Sequence, residues 1–141
     1  MRVLFVCLGN ICRSPTAEGV LRHKLREAGL ADQVEVASAG TGDWHVGNPT
    51  DKRSQAAAKL RGYDLSTQRA QQVSRADFAS YDLILAMDSS NLRNLNIAAG
   101  TPGNLHGVAL QDIECAATDG AQTTDSHFNR FQTKTPIWIA C

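Results

Sequence analysis

Residues 3–15 read VLFVCLGNICRSP, and the order of residue types in this stretch predicts how the fold begins. Up to Val6 the residues are β-branched, aliphatic or aromatic, as in a parallel strand that is buried on both faces. The strand ends at a short loop around Gly9. Ser14 then stands where a helix cap is expected, and Pro15 suits the first turn of the following helix. The stretch therefore predicts a strand, a tight loop and a helix in direct succession.

The same succession recurs further along the chain. Turn residues and apolar periodicity predict strands over residues 34–39, 83–87 and 105–110, and helices over residues 51–61, 75–80 and 91–95. Ser74 is the expected cap of the helix over 75–80, and Ser89 or Ser90 is the expected cap of the last one. Alternating strands and helices predict an α/β fold in which one parallel sheet carries helices on both faces.

Ligands of such sheets usually bind outside the carboxyl ends of the strands. Cys7, Ser38 and Asp88 each fall near the end of a predicted strand, so we expect them at one edge of the sheet. Asp88 fits two interpretations equally well, a helix cap or a functional carboxylate.

The composition limits the classes of function. The chain has 141 residues, of which 43% are hydrophobic, and this favours a single domain over residues 1–141. Fourteen basic residues balance fourteen acidic ones, so nucleic acid and anionic membranes are not expected partners. The N-terminal apolar run is too short for a signal peptide, and we expect a cytoplasmic protein. The four cysteines have no structural-zinc spacing, so thiols and no metal are expected: Cys7, Cys12, Cys115 and Cys141.

The loop after the first strand has the features of an anion site. Free backbone N–H groups and the positive end of a helix dipole meet there. Gly9 permits close approach, and Asn10 tolerates the left-handed conformation that turns N–H groups inward. Arg13 adds a planar fork that suits two phosphate oxygens. The same positive field favours the thiolate of Cys7, so the residues themselves indicate a nucleophile beneath a bound phosphate.

The string FVCLGNICRSPTAEG contains the Cys-x5-Arg-Ser signature of cysteine-dependent phosphatases and resembles the low-molecular-weight protein tyrosine phosphatases. The resemblance continues through SAGTGDWHVGNP, DKRSQ, GYDLSTQRA and YDLILAMDSSNLRNL, and it covers about residues 1–95 in the family's order. It implies a four-stranded, doubly wound parallel sheet, the fold of that family, and a cytoplasmic hydrolase that acts on phosphotyrosine without a metal or cofactor.

The resemblance also implies roles for individual residues. Cys7 attacks phosphorus to give a cysteinyl-phosphate, Arg13 holds the equatorial oxygens, and water then releases phosphate. Asn10 and Ser38 belong to a hydrogen-bond network that fixes the loop, and Ser14 donates to the Cys7 sulfur. Cys12 captures an oxidised Cys7 as a disulfide. The substrate-binding set comprises Leu8, Gly9, Asn10, Ile11, Cys12, Ser14 and Trp44, of which Trp44 stacks on the substrate ring.

The C-terminal part departs from the family. The family's general acid is an Asp followed by Pro and an aromatic residue, and this sequence contains no Asp-Pro. Spacing from Asp88 leads to Asp125 as the third catalytic residue, with Asp112 and Asp119 as alternatives. The family's final helix is expected to be missing or altered, so residues 96–141 are interpreted as a divergent, truncated or frame-altered segment. Loss of the acid typically lowers a rate by about 10²–10⁴-fold.

Two other functions remain open from the sequence. An arsenate reductase shares the loop but needs a further cysteine, for which Cys115 or Cys141 is available. A non-catalytic module that binds phosphate or phosphotyrosine needs no general acid. For the enzyme, the expected partners are phosphotyrosine proteins, small aryl phosphates and phosphate-like anions, bound by a monomer.

Overall fold

A computed structural model describes residues 1–100 and 108–110. The strands are β1 (Arg2–Cys7), β2 (Glu35–Gly40), β3 (Leu83–Ala86) and β4 (Val108–Leu110). The helices are α1 (Arg13–Glu27), α2 (Lys52–Leu60), α3 (Arg75–Ser80) and α4 (Ser89–Ala99). The predicted alternation of strands and helices is therefore confirmed for the described residues.

The strands form one sheet in the order β2-β1-β3-β4, and every pairing in it is parallel. β1 lies between β2 and β3, and its residues from Val3 to Cys7 are all buried. A strand in this position needs apolar side chains on both faces, which explains the apolar run after Arg2. The prediction of an α/β fold with a parallel sheet is confirmed.

Helices cover both faces of this sheet. Successive residues of a strand point to opposite faces, so β1 contributes to two separate cores. The first core joins Val3, Phe5 and Cys7 to Ala17 of α1. The second core joins residues of β1 and β3 to α3 and α4 and is formed by Leu4, Val6, Ile84, Ala86 and Leu95, with Phe78 and Leu92 packed against it.

Two of the expected helix caps are wrong. α1 begins at Arg13, before Ser14, and its N-cap residue Cys12 makes no side-chain capping bond. Ser14 is the second residue of α1 and is fully buried. Its hydroxyl bonds the sulfur of Cys7 and does not cap the helix. The N-cap of α4 is Asp88, whose carboxylate accepts from the backbone N–H of Asn91 at 2.7 Å, in place of the expected serines.

The other helix ends agree with simple capping chemistry. Ser74 and Asp77 form the capping box that begins α3. α4 extends beyond the predicted 91–95 and ends where Gly100 adopts a φ of 78°, a left-handed cap that glycine supplies without strain. None of the helices in the described ranges is long and apolar enough to cross a membrane.

We predict that Leu95→Ala lowers the free energy of unfolding by about 2–5 kcal/mol, because Leu95 is completely buried in the second core and truncation leaves a cavity. Leu60→Ala is the matched control, since Leu60 is also helical but 90% exposed, and its effect should stay within about 0.5 kcal/mol. Denaturant unfolding measures both changes. Similar losses in the two variants would contradict the assignment of Leu95 to the core.

Candidate functional site

The sheet brings the three residues expected at its carboxyl edge together. Cys7 is the last residue of β1, Ser38 lies near the end of β2, and Asp88 follows β3. Cys7 pairs with Gly40 in the parallel register, and the backbone N–H of Thr41 bonds the Cys7 carbonyl at 2.9 Å. The loop from Leu8 to Cys12 then connects this edge to the N-terminus of α1.

Asn10 gives the loop its shape. It is the one non-glycine residue with positive φ among the described residues, at 53°, and only 2% of it is exposed. In this left-handed conformation its backbone N–H turns inward and donates to Cys7 Sγ at 3.2 Å. The loop therefore curls around the sulfur, as the residue types predict.

The side chain of Asn10 determines the direction of a chain of hydrogen bonds. Its Oδ1 accepts from the backbone N–H of Gln71 at 2.8 Å, which identifies Nδ2 as the donor end. Nδ2 donates to the hydroxyls of Ser14 and Ser38, each at 2.9 Å. Because each hydroxyl accepts from Asn10, each can pass its own proton to another acceptor.

Ser14 directs its proton towards the sulfur, since its Oγ lies 2.9 Å from Cys7 Sγ; the carbonyl of Ala39, at 3.2 Å, is the alternative acceptor. Cys7 Sγ thus faces two donors, the Ser14 hydroxyl and the Asn10 backbone N–H. Hydrogen-bond donors directed at a sulfur stabilise negative charge on it. The contact between Ser14 and Cys7 that the family resemblance implies is present.

Ser38 directs its proton away from the sulfur, to Glu18 Oε2 at 2.6 Å. Glu18 lies on the buried side of α1 and also pairs with Arg22 at 2.9 Å. Burial raises the pKa of the Glu18 carboxyl above its ordinary value, and the bond from Ser38 and the charge of Arg22 offset this only in part. A titratable group therefore ends the hydrogen-bond chain that begins at Cys7.

Arg13 pairs with Asp88 through a contact between Nη1 and Oδ2. Burial alone raises the pKa of Asp88, but hydrogen bonds from the backbone N–H of Asn91 and from Arg13 bring it below the ordinary value. A cation in the first turn of a helix opposes the dipole unless an anion lies nearby. In this structure Asp88 supplies that anion, so it is both the cap of α4 and the partner of Arg13.

The segment after β2 forms the rim of the loop. A Cβ on Gly40 would lie 2.8 Å from the Leu8 carbonyl oxygen, so the two backbones approach as only glycine allows. Trp44 is 59% exposed, with its indole nitrogen 3.8 Å from where a Gly9 Cβ would be. The His45 ring lies closer still to the same point, at 2.9 Å. Trp44 is therefore at the mouth of the loop, as expected.

Cys12 is exposed, whereas Cys7 is buried beneath the loop. The Ser54 hydroxyl of α2 donates to Cys12 Sγ at 3.0 Å, and the Asp51 backbone N–H donates to the Ile11 carbonyl at 2.7 Å. These contacts attach the start of α2 to the outer side of the loop. A disulfide between Cys7 and Cys12 stays a prediction.

The residues considered for acid catalysis and for an alternative redox role lie outside the described residues: Asp112, Asp119, Asp125, Cys115 and Cys141. In the described ranges, no three His, Cys, Asp or Glu side chains cluster as a metal site requires.

Sequence reasoning missed two members of the site. Glu18 lies four residues after Ser14, on the stripe of α1 that faces the sheet, and a carboxylate on an apolar stripe is a usable signal. Gln71 contributes its backbone N–H to Asn10, which any non-proline residue could do, so no sequence signal marks it.

We predict that Glu18→Gln changes the pH dependence of stability. A carboxyl with a raised folded pKa binds its proton more tightly in the folded state, so the free energy of unfolding falls as pH rises from the ordinary Glu value, about 4.3, through the raised value. Glutamine cannot titrate, so the variant gains stability relative to the parent across this window. Denaturant unfolding between pH 4 and pH 7 measures the difference, and parallel profiles would contradict the prediction.

The sequence model of the family described as low molecular weight phosphotyrosine protein phosphatase matches residues 2–110, which extends past residue 95. A relative from Schizosaccharomyces pombe, named low molecular weight phosphotyrosine protein phosphatase, is 50% identical over 68% of this chain and 62% of its own length.

Solved structures of other proteins are also similar to this chain. The crystal structure of YfkJ from Bacillus subtilis has a TM-score of 0.75 at 37% identity, covering 85% of this chain and 78% of that one. Vibrio vulnificus Wzb in complex with benzylphosphonate has a TM-score of 0.67 at 33% identity, covering 77% of this chain and 71% of that one.

The matched part of this chain covers 59–66% of the lengths of three curated relatives. The match to the family model nevertheless includes every described strand and helix and the whole loop around Cys7. The chain belongs to the low molecular weight phosphotyrosine protein phosphatase family.

Proposed function

We propose that this protein is a phosphatase that hydrolyses phosphotyrosine and other aryl phosphate monoesters through a cysteinyl-phosphate. The observation that carries the proposal is the pair of donors, the Asn10 backbone N–H and the Ser14 hydroxyl, at Cys7 Sγ. They favour a thiolate nucleophile and also ease its departure from phosphorus in the second step. Arg13 is the first residue of α1, and its guanidinium would bind the phosphoryl oxygens.

The first step transfers the phosphoryl group to Cys7. Sγ forms a bond to phosphorus while the bond from phosphorus to the tyrosine oxygen breaks, and a proton from the general acid neutralises the leaving oxygen. The inward N–H groups of the loop, the helix dipole and Arg13 bind the negative charge on the three equatorial oxygens. Water then attacks phosphorus and gives a proton to the general acid, which lost its own proton in the first step. The bond from phosphorus to sulfur breaks, inorganic phosphate leaves, and the Cys7 thiolate is restored.

Arg13 needs a fixed orientation for this role. Its Nη1 contacts Asp88, while Nη2 and Nε have no hydrogen bond to the described residues and can therefore donate to two phosphate oxygens. We propose that Asp88 restricts the rotamers of Arg13 in the empty site, so that less side-chain entropy is lost when the substrate binds.

The rest of the site supports an aryl substrate. Trp44 presents an exposed indole at the mouth of the loop, where it would stack on a phenyl ring. Asp125 is our candidate for the proton donor, and the family's four-stranded, doubly wound architecture is our proposal for the whole chain. The Vibrio vulnificus relative was solved with benzylphosphonate, an aromatic phosphate analogue, which favours the same substrate class here.

The proposal is tested by hydrolysis of p-nitrophenyl phosphate and phenyl phosphate. We expect no turnover by Cys7→Ser, because the hydroxyl is a far weaker nucleophile, and a loss of about 10²-fold or more for Arg13→Lys, because lysine lacks the planar fork. If the wild-type protein binds phosphate but hydrolyses neither substrate, the proposal of an enzyme is wrong and a non-catalytic binding module is supported.

The same two substrates test the acid. Phenolate is a much poorer leaving group than p-nitrophenolate, so loss of a proton donor should affect phenyl phosphate more. We expect Asp125→Asn to lower phenyl phosphate turnover by about 10²–10⁴-fold and p-nitrophenyl phosphate turnover by less. Asp112→Asn and Asp119→Asn test the two alternative acids in the same way, and both should keep the parent rates when Asp125 is the proton donor. Equal rates for Asp125→Asn and the parent on both substrates would exclude Asp125.

The role of Asp88 is tested by a pair of variants. Asp88→Asn keeps a good helix cap but loses the charge that holds Arg13, whereas Asp88→Ala loses both. We expect both to lower kcat/KM by about tenfold or more through misplacement of Arg13, and only Asp88→Ala to lose about 0.5–2 kcal/mol of stability. Wild-type kcat/KM in Asp88→Asn would show that Asp88 only caps α4.

A further inference from the structure

Helix α2 is exposed over most of its surface. Of its nine residues, Ala58 alone is buried. Leu60 is 90% exposed, and the side chain of Arg53 is 95% exposed. Ala56 and Ala57 are exposed as well, one turn before Leu60. At 3.6 residues per turn these four residues form one continuous stripe, which is basic at its start and apolar after it.

The helix also concentrates positive charge in a chain whose net charge is zero. Lys52, Arg53, Lys59 and Arg61 are all exposed, and Asp51 is the single carboxylate between residues 51 and 61. Hydrogen bonds from the backbone N–H groups of Ser54 and Arg53 lower the pKa of Asp51, which therefore stays charged as the N-cap of α2. The exposed face retains an excess of cations.

The two flanks of this face border functional features. On one flank, Ser54 bonds Cys12 of the candidate active-site loop. On the other flank lies a cleft of about 510 Å³. Its lining residues include one cation and one carboxylate, and they are Gln55, Ala56, Lys59, Gly62, Tyr63, Asp64, Leu65 and Ser66. Cleft volumes in this range accommodate ligand side chains. The exposed stripe of α2 thus lies between the loop and the cleft.

We propose that the exposed face of α2 and the adjacent cleft form a docking surface for an acidic segment of the phosphorylated protein substrate, with an apolar side chain of that segment in the cleft. This inference rests on the proposed function, because the phosphoryl group of the same substrate occupies the loop. Carboxylates of the segment complement Lys52, Arg53 and Lys59 of α2, which outnumber the neighbouring Asp51 and Asp64, and the apolar side chain packs against the ring of Tyr63.

The dimensions indicate which substrate positions are involved. A helix with its side chains is about 10–12 Å wide, which an extended segment crosses in three to four residues at about 3.3 Å each. Since the start of α2 contacts the loop directly, the docked residues lie roughly three to six positions from the phosphotyrosine. A small aryl phosphate cannot reach this surface.

The experiment measures binding of peptides in which a non-hydrolysable phosphonate replaces the phosphate of tyrosine. Two peptides carry three Glu and one Leu at positions three to six, one on the N-terminal side and one on the C-terminal side. Matched peptides carry Gln for Glu. We expect one acidic peptide to bind about three- to tenfold more tightly than its Gln match at low salt, and the preference to shrink at 0.5 M salt.

Charge-reversal variants show which residues cause the preference for the acidic peptide. Arg53→Glu and Lys59→Glu should each remove most of the preference for the acidic peptide, while Arg75→Glu on α3 makes the same change of charge and should keep it. Tyr63→Ser should weaken acidic and Gln peptides alike, because both carry the Leu that packs against this ring in the cleft. Equal binding of the acidic and Gln peptides, or an equal loss in Arg75→Glu, would overturn the proposal.

Hydrolysis of p-nitrophenyl phosphate separates this proposal from the proposed function, because that substrate has no peptide to dock. Turnover without a peptide preference overturns the docking surface and leaves the phosphatase. A peptide preference without turnover overturns the phosphatase and supports the surface. Failure of every phosphonate peptide to bind overturns the docking surface, and it overturns the phosphatase as well only when p-nitrophenyl phosphate is not hydrolysed either.

Discussion

The candidate site depends on one fixed orientation, that of the Asn10 side-chain amide. The Gln71 backbone N–H engages its oxygen, so its nitrogen must donate to Ser14 and Ser38. If the amide were reversed, its oxygen would face both serines. The two hydroxyls would then donate to Asn10 instead of to Cys7 and Glu18. The positive φ of Asn10 adds the second donor to the sulfur. One residue thus sets both the shape of the loop and the direction of its hydrogen bonds.

Local residue patterns were sufficient to predict much of this arrangement. The apolar run before Cys7 gave a central strand, because burial on both faces leaves no place for polar side chains. Gly9 and Asn10 indicated the tight turn, and alternating elements indicated a parallel sheet. The placement of Cys7, Ser38 and Asp88 at one edge followed from topology alone, since parallel strands end on the same side.

What sequence reasoning missed depends on partners that are distant along the chain. Ser14 had the residue type and position of a cap, but a sulfur seven residues earlier competes for its hydroxyl. A helix cap was one of the two interpretations of Asp88, and the pairing with Arg13, which is distant along the chain, favours Asp88 over Ser89 and Ser90 as the cap. Propensity describes a residue and its neighbours, whereas these outcomes were decided by contacts that exist only once the sheet has formed.

The double role of Asp88 joins parts of the molecule that otherwise pack separately. One carboxylate oxygen holds the start of α4, which belongs to the core on one face of the sheet, and the other holds the first residue of α1, which belongs to the core on the opposite face. The sheet separates these two cores everywhere else along β1. Asp88 is therefore a side-chain link between helices on opposite faces of the sheet, and under the proposed function the phosphate held by Arg13 would lie directly beside this link.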